Sequence, residues 1–344
     1  MNLEDIARKA GVSRSTVSRV INESPHVSDR TRARVLAIIE QEGFSPNPGA
    51  RMMVLKRTQV LGILIPTSLE MMFEDPYFYP TLLQGVSDGA QDRDYALMLW
   101  LGNSSDDPEY FYQRMLRNRL VDGWLIASVA RDFPLLERLL KQKVPFVVTE
   151  RPGQFEDQIC YVSVDNVEAA RKVVQYLIGL GRTRIATITG TLNNADSQDR
   201  LEGYRQALRQ AELPYDASLV VNGRYSRRYA FMATQQLLRQ GAEFDAIFAA
   251  NDGMATGAMS ALQEAGLHVP EDVAVVGFDD WPVAAQTVPA LTTVRHPLYQ
   301  KGFAAVNMLI DLVEGAIGAP HQVILPTQFV IRESSGAAVN RLVV

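Results

Sequence analysis

The sequence predicts an α/β protein: a body of parallel sheets covered by helices, preceded by a small helical head. Three observations predict it. Residues 3 to 22 carry the spacing of two short helices joined at a glycine. From Val60 onward, apolar strand-like runs alternate with amphipathic helical segments. Charge divides at the same place: residues 1–57 hold ten Lys/Arg against six Asp/Glu, net +4, whereas the remainder is net −9.

In the head, Leu3, Ile6, Ala7 and Ala10 recur at i, i+3, i+4 and i+7 and form one apolar stripe. Gly11 supplies the chain reversal, and Val12 plugs the angle between the helices. Ser13 suits the N-cap of the second helix, because its hydroxyl accepts from a backbone N–H the helix leaves unpaired. That helix turns Val17, Val20 and Ile21 inward and leaves Arg14, Ser15, Ser18 and Arg19 outward. A helix pair of this kind, with short polar and arginine side chains on its second member, is the helix-turn-helix unit that enters a DNA major groove. Ser28 caps a third helix, with Val35, Leu36, Ile38 and Ile39 as its apolar face, ending at Gly43. Pro46 and Pro48 stop that helix. Asn47 can cap a short new one with Pro48 at its first position. A helix of about two turns is unstable alone in water, so it is expected to order only on DNA.

In the body, strands are expected at Val60–Pro66, Tyr95–Leu101, Trp124–Ala127, Phe146–Thr149, Tyr161–Val164, Ile185–Thr189, Ala246–Ala250 and Val273–Phe278. Helices fall between them, among them Thr81–Asp92, Glu168–Leu180, Asp199–Ala211, Arg228–Arg239 and Met254–Ala265. This alternation means parallel strands with helices on both faces.

At 344 residues, 47% apolar and 21% charged, the chain is an ordinary globular one, long enough for two or three domains. It opens Met-Asn-Leu-Glu-Asp, without the basic, apolar start of an export signal. No run approaches the ~18 apolar residues of a membrane helix, so no membrane partner is expected. The single cysteine, Cys160, suits a reducing cytoplasm and reads as a buried filler. The basic head draws phosphate to the helix-turn-helix.

Catalytic signatures are missing from the sequence: no Walker phosphate loop, no His-Glu-x-x-His, no Gly-x-Ser-x-Gly. Gly179-Leu180-Gly181-Arg182 reads as a helix C-cap turning into a strand. His26, His268, His296 and His321 are scattered, so neither a metal nor a cofactor is expected. An enzyme is disfavoured. Polar residues do gather at strand ends: Asp165-Asn166, Arg200, Asn251-Asp252 and Asp279-Asp280-Trp281. Carboxylates, an amide, a guanidinium and an aromatic plane are what a polyhydroxy ligand needs. Asp165 and Asp252 equally suit capping of the helices that follow, and Asp280 reads as structural.

These stretches carry a family resemblance. Ala10-Gly11-Val12-Ser13, Thr16-Val17-Ser18-Arg19-Val20, Asn22, His26-Val27-Ser28 and Gly43-Phe44-Ser45-Pro46-Asn47 resemble the lactose-repressor-type (LacI/GalR) regulators. So do Arg200-Leu201-Glu202-Gly203-Tyr204, the pair Asn251-Asp252, Val276-Gly277-Phe278-Asp279-Asp280, Leu325-Pro326-Thr327 and Ile331-Arg332-Glu333-Ser334, so that the likeness spans the whole chain. The resemblance implies a DNA-binding head over 1–45, a hinge helix over 46–57 and an effector-binding, dimerising body over 58–344. That body would be periplasmic-binding-protein-like, with one subdomain near 60–161 and 293–324 and another near 162–290 and 327–340. Ligands of such sheets bind in the cleft at the strand ends.

Carried over residue by residue, the resemblance assigns DNA contact to Ser13, Arg14, Ser15, Thr16, Ser18, Arg19, Asn22 and His26, with Ala50 and Met53 from the hinge. Met53 stands where the family wedges a leucine into the minor groove. It assigns effector contact to Arg200, Asn251 and Asp279, with Tyr225, Tyr77, Phe78 and Trp281 as aromatic lining. In the segment Pro76-Tyr77-Phe78, Asp75 replaces the family's usual Asn. The expected function is a cytoplasmic, nucleoid-associated transcription repressor. It would bind a palindromic operator in double-stranded DNA as a homodimer and answer to a sugar or polyol, with induction favoured over corepression. After Arg332 too little chain remains for the leucine heptads of a four-chain bundle. A periplasmic sugar-binding protein is the main competing reading, and a DNA-binding head on an enzyme another. The first lacks its export signal and the second its catalytic motifs.

Overall fold

The computed structural model describes residues 2–21, 26–44, 57–65, 72, 76–102, 116, 120–127, 130 and 133–336. The expected DNA contacts Asn22, Ala50 and Met53, nearly all of the linker 46–57, and Asp75 lie outside the described residues. Contacts divide the chain into two units, Met1–Gln59 and Val60–Val344.

In the first unit, α1 (Leu3–Ala10), α2 (Arg14–Ile21) and α3 (Asp29–Gln41) close around Ile6, Ala7, Ala10, Val17, Val20 and Val35. Asn2 caps α1 by accepting from Glu4 and Asp5, and Asp5 answers from the third helical position, so the first turn leaves little unpaired. Gly11 takes the left-handed conformation, φ 62°, that ends α1 and turns the chain. Ser13 Oγ accepts from the Thr16 amide at 3.1 Å and starts α2. Leu36, expected on the buried face of α3, is instead 47% exposed. The helix touches the pair below it along Val35, Ile38 and Ile39, and Leu36 lies off that line.

The second unit holds two parallel sheets. The first has order β11-β5-β4-β3-β1-β2, built from Val60–Ile65 (β1), Ala96–Leu101 (β2), Gly123–Ile126 (β3), Phe146–Val148 (β4), Cys160–Val164 (β5) and Gln322–Leu325 (β11). Helices α4 (Phe78–Gln91) and α10 (Leu298–Glu314) cover one face through Leu82, Val86, Val306 and Leu309. Helix α5 (Leu135–Lys141) covers the other with Leu135, Leu136 and Leu139 against Trp124 and Phe146. Cys160 is buried on β5, where burial pushes its thiol up.

The second sheet has order β7-β6-β8-β9, from Ile185–Thr189 (β6), Val220–Asn222 (β7), Ala246–Ala249 (β8) and Ala274–Val276 (β9). One face meets α6 (Asn166–Gly179) and α7 (Ala195–Gln210), and the other meets α8 (Arg227–Arg239) and α9 (Asp252–Glu264). The antiparallel pair β10 (Thr293–Arg295) and β12 (Gln328–Val330) runs beside β9, bridging it at Val276–Thr292 and Asp279–Arg295. The chain thus leaves the first sheet after β5, returns along α10 to β11, and leaves again at β12. The expected subdomain limits at 161 and 293 fall inside β5 and at the first residue of β10.

Candidate functional site

On the head, α2 exposes Arg14, Ser15 and Arg19, Ser13 and His26 are exposed too, and Thr16 and Ser18 are half-buried. The outward face is fixed by Val17 and Val20, 0% and 2% exposed, which occupy the opposite side of the helix. Arg14 reaches Glu4 at 3.4 Å, an exposed pair of small worth that leaves the guanidinium available to another partner.

On the body, the polar residues gather at the C-terminal ends of β6, β8 and β9. Arg200 lies in the first half of α7 and is 3% exposed. Its Nε donates to Asn166 Oδ1 at 2.8 Å, one terminal nitrogen donates to the Ala250 carbonyl, and the other lies 3.9 Å from Asp279 Oδ1. The guanidinium carbon sits 3.7 Å over the Phe278 ring, a cation–π contact made stronger by burial. Asp279 holds φ 107°, a conformation a non-glycine residue adopts only when its surroundings impose it. Here its own amide is tied to the Val294 carbonyl at 2.8 Å.

His296 Nδ1 lies 3.2 Å from Asp279 Oδ1, and Lys301 Nζ lies 3.5 Å from His296 Nε2. An ammonium can only donate, so Nε2 accepts and the ring proton sits on Nδ1, facing the carboxylate. Burial, helped by the nearby Lys301 and Arg200 charges, holds this imidazole well below the usual histidine range, so it is neutral. Lys301 Nζ is also 4.0 Å from Asp196 Oδ2, and Asp196 stands one helical turn before Arg200 on α7. Arg200, Asp279, His296, Lys301 and Asp196 therefore form a continuous polar chain, each member 6% exposed or less.

Among the described residues, the buried side-chain atoms without a hydrogen-bond partner are Asn166 Nδ2, Asn251 Nδ2, Trp281 Nε1 and Asp196 Oδ1. All four belong to the segments that follow β5, β6, β8 and β9. Each such atom costs about 1–3 kcal/mol while it stays unpaired. Asn251 spends its Oδ1 on capping α9, accepting from the Met254 amide at 2.8 Å, which leaves its amide nitrogen over. Trp281 packs beside Gly253, and its ring centroid is 5.6 Å from that of Tyr77. Phe78 meets His296 edge-on at 6.3 Å. Tyr225 donates to or accepts from Ser197 Oγ at 2.6 Å and lies against Gly190, whose missing side chain makes the room. Burial raises the Tyr225 phenol well above its usual range, so it stays a neutral hydroxyl.

The structure thus brings together Arg200, Asn251, Asp279, Trp281, Tyr77, Phe78 and Tyr225. Asp165 and Asp280 do other work. Asp165 caps α6. Asp280 holds Arg295 and Arg332 at 2.7 and 2.6 Å. Asp252 anchors the loop after β9, accepting from Trp281 N at 2.7 Å and Thr293 Oγ1 at 2.6 Å. Burial lifts its carboxyl to about 7. Sequence reasoning missed Asp196, His296 and Lys301. Lys301 carried a legible sign: it falls on the α10 stripe with Leu298, Ala305 and Leu309, where a charge has no place in a plain core.

Residues 2–47 match the family model for bacterial regulatory proteins of the lacI family, and residues 174–335 match that for a periplasmic binding protein-like domain. The HTH-type transcriptional regulator CelR of Thermobifida fusca is 38% identical over 333 residues, 96% of this chain and 97% of that protein. The chain belongs to the lacI family of bacterial regulatory proteins. This lacI-family regulator is also 36% identical to the ribose operon repressor of Escherichia coli K12, over 90% of this chain and 92% of that one. Among solved structures, the CelR–cellobiose complex matches with a TM-score of 0.77 at 37% identity, covering 97% of this chain and 99% of that one. The lac repressor dimer bound to operator and the anti-inducer ONPF matches with a TM-score of 0.82 at 26% identity, with the same coverage. These relatives are transcriptional regulators, and so is this chain: a helix-turn-helix head joined to a binding-protein-like α/β body, not an enzyme.

Proposed function

We propose that this regulator represses transcription from a pseudopalindromic operator as a homodimer, and that a sugar or polyol in the cleft between its two sheets releases it. The observation that carries the effector reading is the set of unpartnered Asn166, Asn251 and Trp281 donors around the Arg200–Asp279 pair. Hydroxyls can accept from each donor and give to the carboxylate, while Tyr225 and Trp281 cover the apolar faces of a ring. Ser13, Arg14, Ser15, Thr16, Ser18, Arg19, Asn22 and His26 serve the major groove, and Ala50 and Met53 the minor groove. The head spans 1–45, the hinge 46–57 and the body 58–344, and the protein works in the cytoplasm.

The two lobes bound one cleft, so a ligand that prefers one closure state shifts the equilibrium by its differential affinity, typically 1–3 kcal/mol. A relative solved with cellobiose and another named for the ribose operon make those sugars the first probes. The test is a gel shift on DNA upstream of the regulator's own gene, with and without each sugar. Retarded DNA released by a neutral sugar is the expected result. A chain that gives no specific shift, or a stable monomer on a half-site in sedimentation, refutes the reading.

A further inference from the structure

Lys301 and Asp196 come from opposite sides of the body. Lys301 lies on α10, which covers the first sheet, and Asp196 opens α7, which covers the second. Lys301 is 1% exposed and Asp196 4%. Yet among the described residues the ammonium has only long contacts, 3.5 Å to His296 Nε2 and 4.0 Å to Asp196 Oδ2. Charge-assisted hydrogen bonds of this type close to about 2.7–2.9 Å. Among the described residues the other carboxylate oxygen, Asp196 Oδ1, has no partner. A buried ammonium and a buried carboxylate that face each other without closing keep hydrogen-bonding capacity unspent on both sides.

We propose that Lys301 and Asp196 are a specificity pair that grips one hydroxyl of an uncharged polyol across the two lobes. This rests on the effector reading above and narrows it to a charge class. A hydroxyl accepts from Nζ and donates to Oδ1, which is what the two under-used groups require. A carboxylate or phosphate only accepts, and would meet Asp196 charge against charge. The surrounding charges sharpen the choice. Arg200 and Lys301 are balanced by Asp279 and Asp196, and His296 is neutral. Glu150, 3% exposed, brings a further carboxylate beside Asn194, two residues from Asp196, where it accepts from Asn194 Nδ2 at 3.1 Å. No excess of positive charge remains for an anion. Grip from both lobes also makes this contact available only when they close, so the pair reads ligand and closure state together.

The test uses the full chain and calorimetric titration with four probes: cellobiose and ribose as uncharged sugars, gluconate and glucose 6-phosphate as anions. The wild type is expected to bind an uncharged probe and neither anion. Lys301→Met should weaken that binding about 10- to 100-fold, the range for a lost hydrogen bond to a charged group. Asp196→Asn should weaken it similarly and admit an anionic probe, a switch in preference that a merely structural role would not produce. The double variant Lys301→Met with Asp196→Asn leaves no unpaired buried charge and guards against misfolding of the single variants, which circular dichroism checks. The inference is overturned by wild-type binding of an anion in preference to the sugars, or by binding of none of the four probes. Folded single or double variants that bind the uncharged probe as the wild type does overturn it too. Operator retardation is measured separately, so loss of this inference leaves the regulator reading standing, and loss of both is visible as such.

Discussion

Replacing Arg200 with alanine should destabilise the body far more than an ordinary ligand contact would. Four partners lose their donor or cation at once: Asn166 Oδ1, the Ala250 carbonyl, Asp279 and the Phe278 ring. Asp279 is 6% exposed, and the neutral His296 beside it cannot replace a charge. Breaking a buried ion pair by removing one partner costs about 3–5 kcal/mol, most of it from the charge left behind. Adding Asp279→Asn removes that charge, and the double variant should regain about half of the loss. Urea unfolding of the body, followed by tryptophan fluorescence and circular dichroism together, reads both numbers and shows whether the transition is two-state. A single variant costing under about 1 kcal/mol, or a double variant costing the full sum of the singles, refutes the buried-pair argument. The result also governs how Arg200 variants are used: loss of sugar response in Arg200→Ala counts only if the body is shown to be folded.

Asp252 gives a pH prediction. Its carboxyl sits at about 7 in the folded chain against 3.8 ordinarily, so the folded state holds a proton the unfolded state lacks between those values. That contribution is full below pH ~4 and is lost as pH rises through 7, amounting to about 4 kcal/mol at most. Asp252→Asn should flatten this slope in urea titrations at pH 5 and 8, and an unchanged slope would refute the assignment. His296, held low, acts in the opposite sense in both proteins and cancels in the difference. Gly190→Ala places a Cβ 2.2 Å from the Tyr225 ring and should cost about 1–3 kcal/mol through overpacking. Unchanged thermal unfolding would show that Tyr225 is free to move aside. On the head, Arg19→Ala should relax preference at one base pair per half-site at about 1–3 kcal/mol. Uniform weakening across all operator variants would show instead that Arg19 serves phosphate.

Much of this was legible in the chain alone. The helical spacing of Leu3, Ile6, Ala7 and Ala10, with Gly11 and Ser13 after it, specifies the head, because local periodicity and capping are properties of neighbours in sequence. The βα alternation specifies parallel sheets for the same reason, and the strand-end residues Arg200, Asn251 and Asp279 followed from it. Short elements escaped. The three-residue β7, β10 and β12 each mix apolar and polar residues, without the apolar run that marked β4 and β9, and exist because a neighbouring strand pairs with them. Leu36 misled because an apolar residue one position off the contact line looks the same in sequence. Roles that depend on long-range approach were decided only by the fold. Asp280 reads as structural from the sequence, but its partners Arg295 and Arg332 come to it only in the fold. Asp252 became a buried strut with its carboxyl pushed up to about 7 because Trp281 and Thr293 close over it. Lys301 and Asp196, 105 residues apart in sequence, face each other only because the fold brings α10 and α7 together there. A charge and its distant partner leave no mark on each other's local sequence, so only tertiary structure can pair them.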